Sequence, residues 1–436
     1  MVDLKTSLLE LAQQVLASSK IISDHLEKNS LPPLSLVADA YPFFPGTGPL
    51  DVDVFPRLDE NIRNARTQLR DAAVALQQLA AGPAEAAWDF MTGHFTSATL
   101  QYVYHFHIAE HVPVDKDISY KELADTAGVD QSQCTRILKF MATQNFFQQT
   151  RPGYIGHTAM SKLLLVPDFR DTVGYVTEES FSGAPRLSEN AEKYPGSQEK
   201  NQAPWHLANN TDLPIFEYFE DQPARMGRFM GCMRALASAE SYSIKNMIEA
   251  FDWQSLGNGV VVDVGGSFGH CSSQIAESAP GLKFIVQDLQ KVVNQAEKER
   301  ANDKNIDRIK FQAHNFFTPQ PVKEADVYLL RFICHDYSDK YASQILGHLA
   351  AAMGPESRII IVDSVLPEVG VLSKFEEQRA RILDMEMMMT YNSLERDEDG
   401  WQSLLKQADP RLELRSVKKI PGNILAVLEV GLRHSN

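Results

Sequence analysis

"GNGVVVDVGGSFGHCSSQIAESAPGLKFIVQDLQKVVNQAE", residues 257–297, sets two apolar, β-branched runs on either side of a glycine-rich turn and a mixed polar stretch. The spacing predicts strand, turn, helix and strand, a βαβ unit in which Asp263 ends the first strand and Asp288 the second. Gly265, Gly266 and Gly269 let the backbone turn tightly and approach a ligand, and an acid closing the next strand can accept both hydroxyls of a ribose. An adenosine-containing cofactor is the expectation. A dinucleotide is the weaker candidate, because its turn wants G-x-G-x-x-G near a pyrophosphate-binding helix start, whereas these glycines run GG-x-x-G and Ser267 breaks the pattern.

The same rhythm continues downstream. "IKFQAHNFF" (309–317), "ADVYLLRFI" (325–333) and "RIIIVDSVLP" (358–367) each predict a strand with a polar or acidic end, separated by helical stretches such as "DKYASQILGHLAAAM" (339–353). "LELRSVKKIPGNILAVLEVGL" (412–432) predicts a hairpin turning at Pro421 and Gly422, which adds an antiparallel edge strand to an otherwise parallel sheet. Within "RFICHDYSD" (331–339), His335 and Asp336 follow a strand end, where open α/β sheets hold their ligands. Such a titratable pair is either a site or a solvated loop. Asp336 is expected to point away from His335, since neighbours on an extended segment face opposite ways.

The first half is different in kind. Residues up to about 30 predict one helix, a Pro-rich bridge follows, and "DENIRNARTQLRDAAVALQQLAAG" (59–82) resumes helical spacing, so residues 1–95 form a helical segment. Residues 119–165 then give helix, Gly turn, helix and a short hairpin around Pro152 and Gly153, the outline of a winged helix, here bounded at 96–175. A DNA-reading second helix would be studded with groove-facing polar side chains. This one carries Ile137, Leu138, Phe140, Met141, Phe146 and Phe147 around Arg136 and Lys139, which favours packing or dimerisation. His105, His107 and His111 in "YHFHIAEHV" suggest a metal by proximity, and His107 and His111 are expected to share a helix face, but no Cys or second ligand cluster completes a set, and no metal is expected.

Composition bounds the function. The chain has 436 residues, 44% hydrophobic and 23% charged, enough for more than one domain, and its formal charge of -15 argues against nucleic acid as the main partner. Its four cysteines are far apart, which fits free thiols and a cytoplasmic location. The first 20 residues predict a charged amphipathic helix rather than a signal peptide, and no run has the length of a membrane span.

"DVGGSFGH", "VQDL", "HNFF", "RFICHDYSDKYASQIL", "RIIIVDSVLPE" and "NSLERDEDGW" together resemble, in order and spacing, the S-adenosylmethionine-dependent O-methyltransferases of the plant caffeic acid and flavonoid type, in the fungal secondary-metabolism branch. The resemblance covers roughly residues 100 to 430. It implies an α/β fold: a Rossmann-like seven-stranded methyltransferase domain over 176–436, with a helical acceptor-pocket segment, behind an N-terminal, mostly helical, winged-helix-like domain used for homodimerisation.

It further implies S-adenosylmethionine as cofactor, with Gly265 and Gly266 against its methionine part, Asp288 on the ribose, Asn315 and Phe316 at the adenine and Arg331 lining the pocket. His335 becomes the general base, flanked by Asp363 and Glu395. The family often has an acid where this chain has Asn315 and a third glycine where it has Ser267. "MGRFMGCM" (226–233) and "MEMMMTY" (385–391) are assigned to the pocket of an aromatic, phenolic acceptor. Two alternatives stay open: a pericyclase that keeps the cofactor without methyl transfer, and a winged-helix regulator that senses S-adenosylmethionine.

Overall fold

The computed structural model describes residues 5–48, 55–239, 242–419 and 423–433. Helix α1 (Leu8–Lys28) starts where Ser7 and Glu10 cap each other's backbone amides, and it packs Ile22 and Leu26 against Ala65 of helix α2 (Glu60–Thr92). Asp59 caps α2. Gly82, at φ 74, and Pro83, which lacks an N–H, break α2 into two helical stretches. The winged-helix outline is present: helices Tyr120–Ala127 and Gln131–Thr143, capped by Ser119 and Asp130, precede strands β2 (Phe147–Arg151) and β3 (Tyr154–His157), and β3 also pairs with β1 (Ile118–Ser119). Gly153, at φ 86, makes the tight turn. Leu123, Cys134, Leu138, Phe147 and Ile155 form its core, so the second helix is used for packing.

Strands β4 (Val260–Val264), β5 (Lys283–Asp288), β6 (Ile309–Ala313), β7 (Val327–Arg331), β8 (Arg358–Leu366), β9 (Arg396–Asp397), β10 (Leu412–Lys419) and β11 (Leu425–Leu432) build the second sheet. Its main path runs β10-β11-β8-β7-β4-β5-β6, seven strands, and the short β9 lies beside the end of β8. The central strands are Val, Ile and Leu rich because helices cover both faces. Val262, Tyr328, Leu330, Ile359, Ile361 and Leu428 pack with Ile345, Leu346 and Trp401 of the covering helices.

Two expectations change. The antiparallel strand is β11, which pairs with β8 on one side and β10 on the other, so the edge strand β10 runs with the parallel set. The turn at Pro421 and Gly422 lies outside the described residues. His107 does not share a helix face with His111, since it sits at φ 52 between helices His94–His105 and Ile108–His111.

The chain packs as two compact units, each drawn from several segments. One compact unit comprises Met1–Arg186, Ile215–Glu240 and Val369–Gln378, the other Leu187–Pro214, Ser241–Glu368 and Arg379–Asn436. Tertiary contacts, which a linear reading does not carry, assign the two inserted segments to the first unit. No described helix is long and apolar enough to cross a membrane.

Trp401 is fully buried and donates its indole N–H to the Ser364 carbonyl at 3.1 Å, fastening a covering helix to β8. Trp401→Ala is expected to lose about 3–5 kcal/mol in denaturant unfolding of the catalytic unit, the usual cost of a large aromatic cavity. A loss below about 1 kcal/mol would mean that the core closes over the gap.

Candidate active site

The turn after β4 is shaped by what surrounds it. Gly265 stands at φ 70, and a Cβ there would lie 2.6 Å from Ile333 Cδ1 and 3.5 Å from Phe316, so only glycine lets the turn meet the segments that follow β6 and β7. A Cβ on Gly266 would come 2.6 Å from the Asp263 carboxyl carbon. Asp263 accepts from Ser272 Oγ at 2.7 Å, and burial lifts it to about 6. Ser267 adopts φ 51, so the backbone keeps a glycine-like conformation where the side chain is not glycine.

Asp288, at the end of β5, accepts the Ser267 N–H at 2.9 Å and the Leu289 N–H at 2.8 Å. Burial pushes its carboxyl upward against those two bonds. Two backbone amides thus fix the carboxylate and leave lone pairs free for hydroxyl donors. Asn315 lies on the exposed turn after β6, where its Oδ1 accepts the Phe317 N–H at 3.0 Å. Arg331 donates to the Tyr242 carbonyl at 2.8 Å, while its buried Nε has no partner.

His335 sits on a 3-10 turn, Cys334–Asp336, entered through Phe332 at φ 56. Its Nδ1 is 2.8 Å from Glu395 Oε1, and both side chains are almost wholly buried. Asp336 Oδ1 lies 3.4 Å from Nε2, contrary to the expectation for an extended segment, because the tight turn swings neighbouring side chains onto one side. Asp363 is fully buried in β8, and neither of its oxygens has a hydrogen-bond partner. It influences His335 through charge alone.

Burial by itself would depress the imidazolium. The charges of Asp336, Glu395 and Asp363, with the Glu395 hydrogen bond, outweigh burial and lift His335 to about 10. Burial likewise raises Asp363 to about 7 and Asp336 to about 6, against the pull of His335. His335, Asp336 and Asp363 therefore titrate as one coupled unit.

Two supports were not visible in the motifs. Arg396, also buried, donates to the Cys334 carbonyl at 3.1 Å, the Tyr337 carbonyl at 2.8 Å and Asp339 at 2.8 Å, clamping the turn that bears His335. Asp384 accepts the Glu395 N–H at 2.9 Å. Arg396 had a signal, its place beside Glu395, whereas nothing in the spacing singles out Asp384. Among the described residues no group of three or more His, Cys, Asp or Glu side chains is placed to hold a metal ion.

The Asp288 carboxylate tied to a glycine turn that a Cβ would obstruct, with the unpartnered buried Nε of Arg331 at the end of β7, has the chemistry that a polar ligand carrying a ribose requires. A seven-stranded, Rossmann-like sheet with one reversed strand and this mouth defines the class of S-adenosylmethionine-dependent methyltransferases. The O-methyltransferase domain matches residues 195–409, and the O-methyltransferase dimerisation domain matches residues 88–167. The chain is 36% identical to the O-methyltransferase VdtC of Byssochlamys spectabilis, over 98% of each chain.

OxaC in complex with SAH and oxaline superposes with a TM-score of 0.76 at 22% identity, over 99% of this chain and 100% of that one. A structure described as a pericyclic reaction enzyme gives 0.69 at 25% identity, over 86% and 95%. The chain belongs to the O-methyltransferase family: it is an S-adenosylmethionine-dependent O-methyltransferase with a dimerisation domain that supports homodimer formation.

Two measurements test this geometry. Asp288→Ala should weaken SAH binding tenfold or more by calorimetry, through lost charge-assisted bonds and a released turn; unchanged affinity would remove Asp288 from the cofactor site. The acid limb of the kcat/KM profile should lie above the ordinary imidazole value of about 6.5. Removing an anion beside an imidazolium favours the neutral ring, so Glu395→Gln should move that limb to lower pH. An upward shift would contradict the coupling.

Proposed function

We propose that the enzyme methylates a phenolic hydroxyl of a small secondary metabolite and that His335 is the general base. The observation that carries this reading is the buried His335–Glu395 contact of 2.8 Å at the carboxyl end of the sheet. With Nδ1–H donated to Glu395, Nε2 is the nitrogen that faces an incoming hydroxyl. A free phenol, with a pKa of about 10, is mostly un-ionised at neutral pH and a poor nucleophile. Only the neutral ring can take that proton, so the elevation of His335 to about 10 makes the competent fraction, and with it the rate, rise with pH.

The acceptor O–H proton passes to Nε2 as the oxygen attacks. The turn at Gly265 and Gly266 and the Asp288 carboxylate would hold S-adenosylmethionine, which would supply an electrophilic methyl on a sulfonium whose sulfur would keep the electron pair of the C–S bond given up to the acceptor oxygen. Glu395 holds the ring, and Asp336 and Asp363 stabilise the imidazolium that results. We assign Gly265, Gly266, Asp288, Asn315, Phe316 and Arg331 to the cofactor, as the family pattern implies. The likeness to the pericyclic reaction enzyme motivates a second reading in which the cofactor is retained and no methyl moves. The paired base favours transfer.

Incubation with isotopically labelled cofactor and a panel of phenolic polyketides, scored by mass spectrometry, should yield products heavier by one methyl. Product mass equal to substrate mass, with no demethylated cofactor formed, would support the pericyclic reading. His335→Ala should lower kcat by about a hundredfold or more while leaving SAH affinity nearly unchanged. Unaltered single-turnover transfer to an un-ionised acceptor would remove His335 from the base role.

A further inference from the structure

Asp71 is a buried carboxylate on α2, 7% exposed, in a part of the chain that neither family domain covers. Its two oxygens accept the Lys374 N–H at 3.0 Å and the Phe375 N–H at 2.9 Å. Those are the first two amides of helix Lys374–Glu386, which have no acceptor within their own helix. Ser373 Oγ takes the third, from Glu376, at 3.1 Å. Arg70 lies 3.6 Å over the Phe375 ring beside them. The start of this helix is thus held by a charged cap from a distant segment, and a negative charge there also suits the helix dipole.

The last turn of the same helix carries Asp384. Asp384 Oδ1 accepts the Glu395 N–H at 2.9 Å, and Glu395 in turn holds His335. One continuous helix of 13 residues, roughly 20 Å long, therefore joins the cap to the backbone of the residue that orients the base. Rigid secondary elements and hydrogen-bond networks of this kind are what carries coupling between distant sites.

We propose that Asp71 is a positioning residue for His335, acting through helix Lys374–Glu386, Asp384 and Glu395. The proposal rests on His335 being the base. It predicts that removing the cap lets Asp384 slacken its grip on Glu395, which lengthens the Glu395–His335 contact. A merely structural Asp71 would lower stability and leave the imidazole as it was.

The test follows the imidazole itself, in the full chain labelled with carbon-13 at histidine Cε1, with His335→Gln identifying the resonance. His335 faces Asp336, Glu395 and Asp363, and only Glu395 is reached through the helix, so part of the elevation should survive. In Asp71→Ala the titration midpoint should fall by about one pH unit, the equivalent of a weakened charged hydrogen bond. Asp71→Asn keeps one acceptor and should fall less. Ser7→Ala, which removes the α1 cap, should lower Tm without moving the midpoint.

A wild-type midpoint in Asp71→Ala, or an equal displacement in Ser7→Ala, overturns the proposal. Should Asp71→Ala not fold, Asp71→Asn decides alone, and an undisplaced midpoint overturns it. Neither cofactor nor acceptor enters the titration, so its outcome stands apart from the methyl-transfer assay that tests the base assignment.

Discussion

Burying one imidazole among three carboxylates is stable only if the group shares its protons and is braced from outside. An isolated carboxylate in so dry a place neutralises itself, and Asp363, with no hydrogen-bond partner, shows this in its value of about 7. The 2.8 Å contact between His335 Nδ1 and Glu395 Oε1 fixes the ring among these carboxylates. The rest of the mouth serves that arrangement. Phe332 turns the chain out of β7, Arg396 clamps the turn by three hydrogen bonds, and Trp401 fastens the end of β8 beyond Asp363.

The cofactor side obeys a separate, steric constraint. Gly265 and Gly266 are glycines because Ile333 and Asp263 leave no room for a Cβ. Asp288 is tied to its own turn by the Ser267 amide, so the ribose carboxylate and the glycine turn form one rigid piece. Such preorganisation moves the ordering cost from the binding step to folding.

Much of this was legible in the sequence, for identifiable reasons. The βαβ unit and the parallel strands announce themselves because buried strands are continuous apolar runs, and Gly265, Asp288 and His335 stand at strand ends, the positions where polar residues interrupt such runs. What escaped depends on distance or on turn geometry. Asp384 and Asp71 act on amides far along the chain, and nothing local in "RILDMEM" or "QLRDAAV" marks them as caps. Asp336 was misjudged because a 3-10 turn replaced the extended backbone assumed for it. The antiparallel edge was misplaced because alternation along a strand fixes its faces but not its neighbours.

The place of β11 has a consequence for how the protein is made. β8 carries Asp363, and on one side its partner is β11, with Asp363 in register with Ala426. On the ribosome, therefore, the strand bearing that carboxylate emerges and waits for some sixty residues before its second neighbour exists. The winged-helix core, whose contacts are local, can close long before then. During that interval an apolar strand lacks its partner along one edge, the kind of edge that invites pairing with another chain.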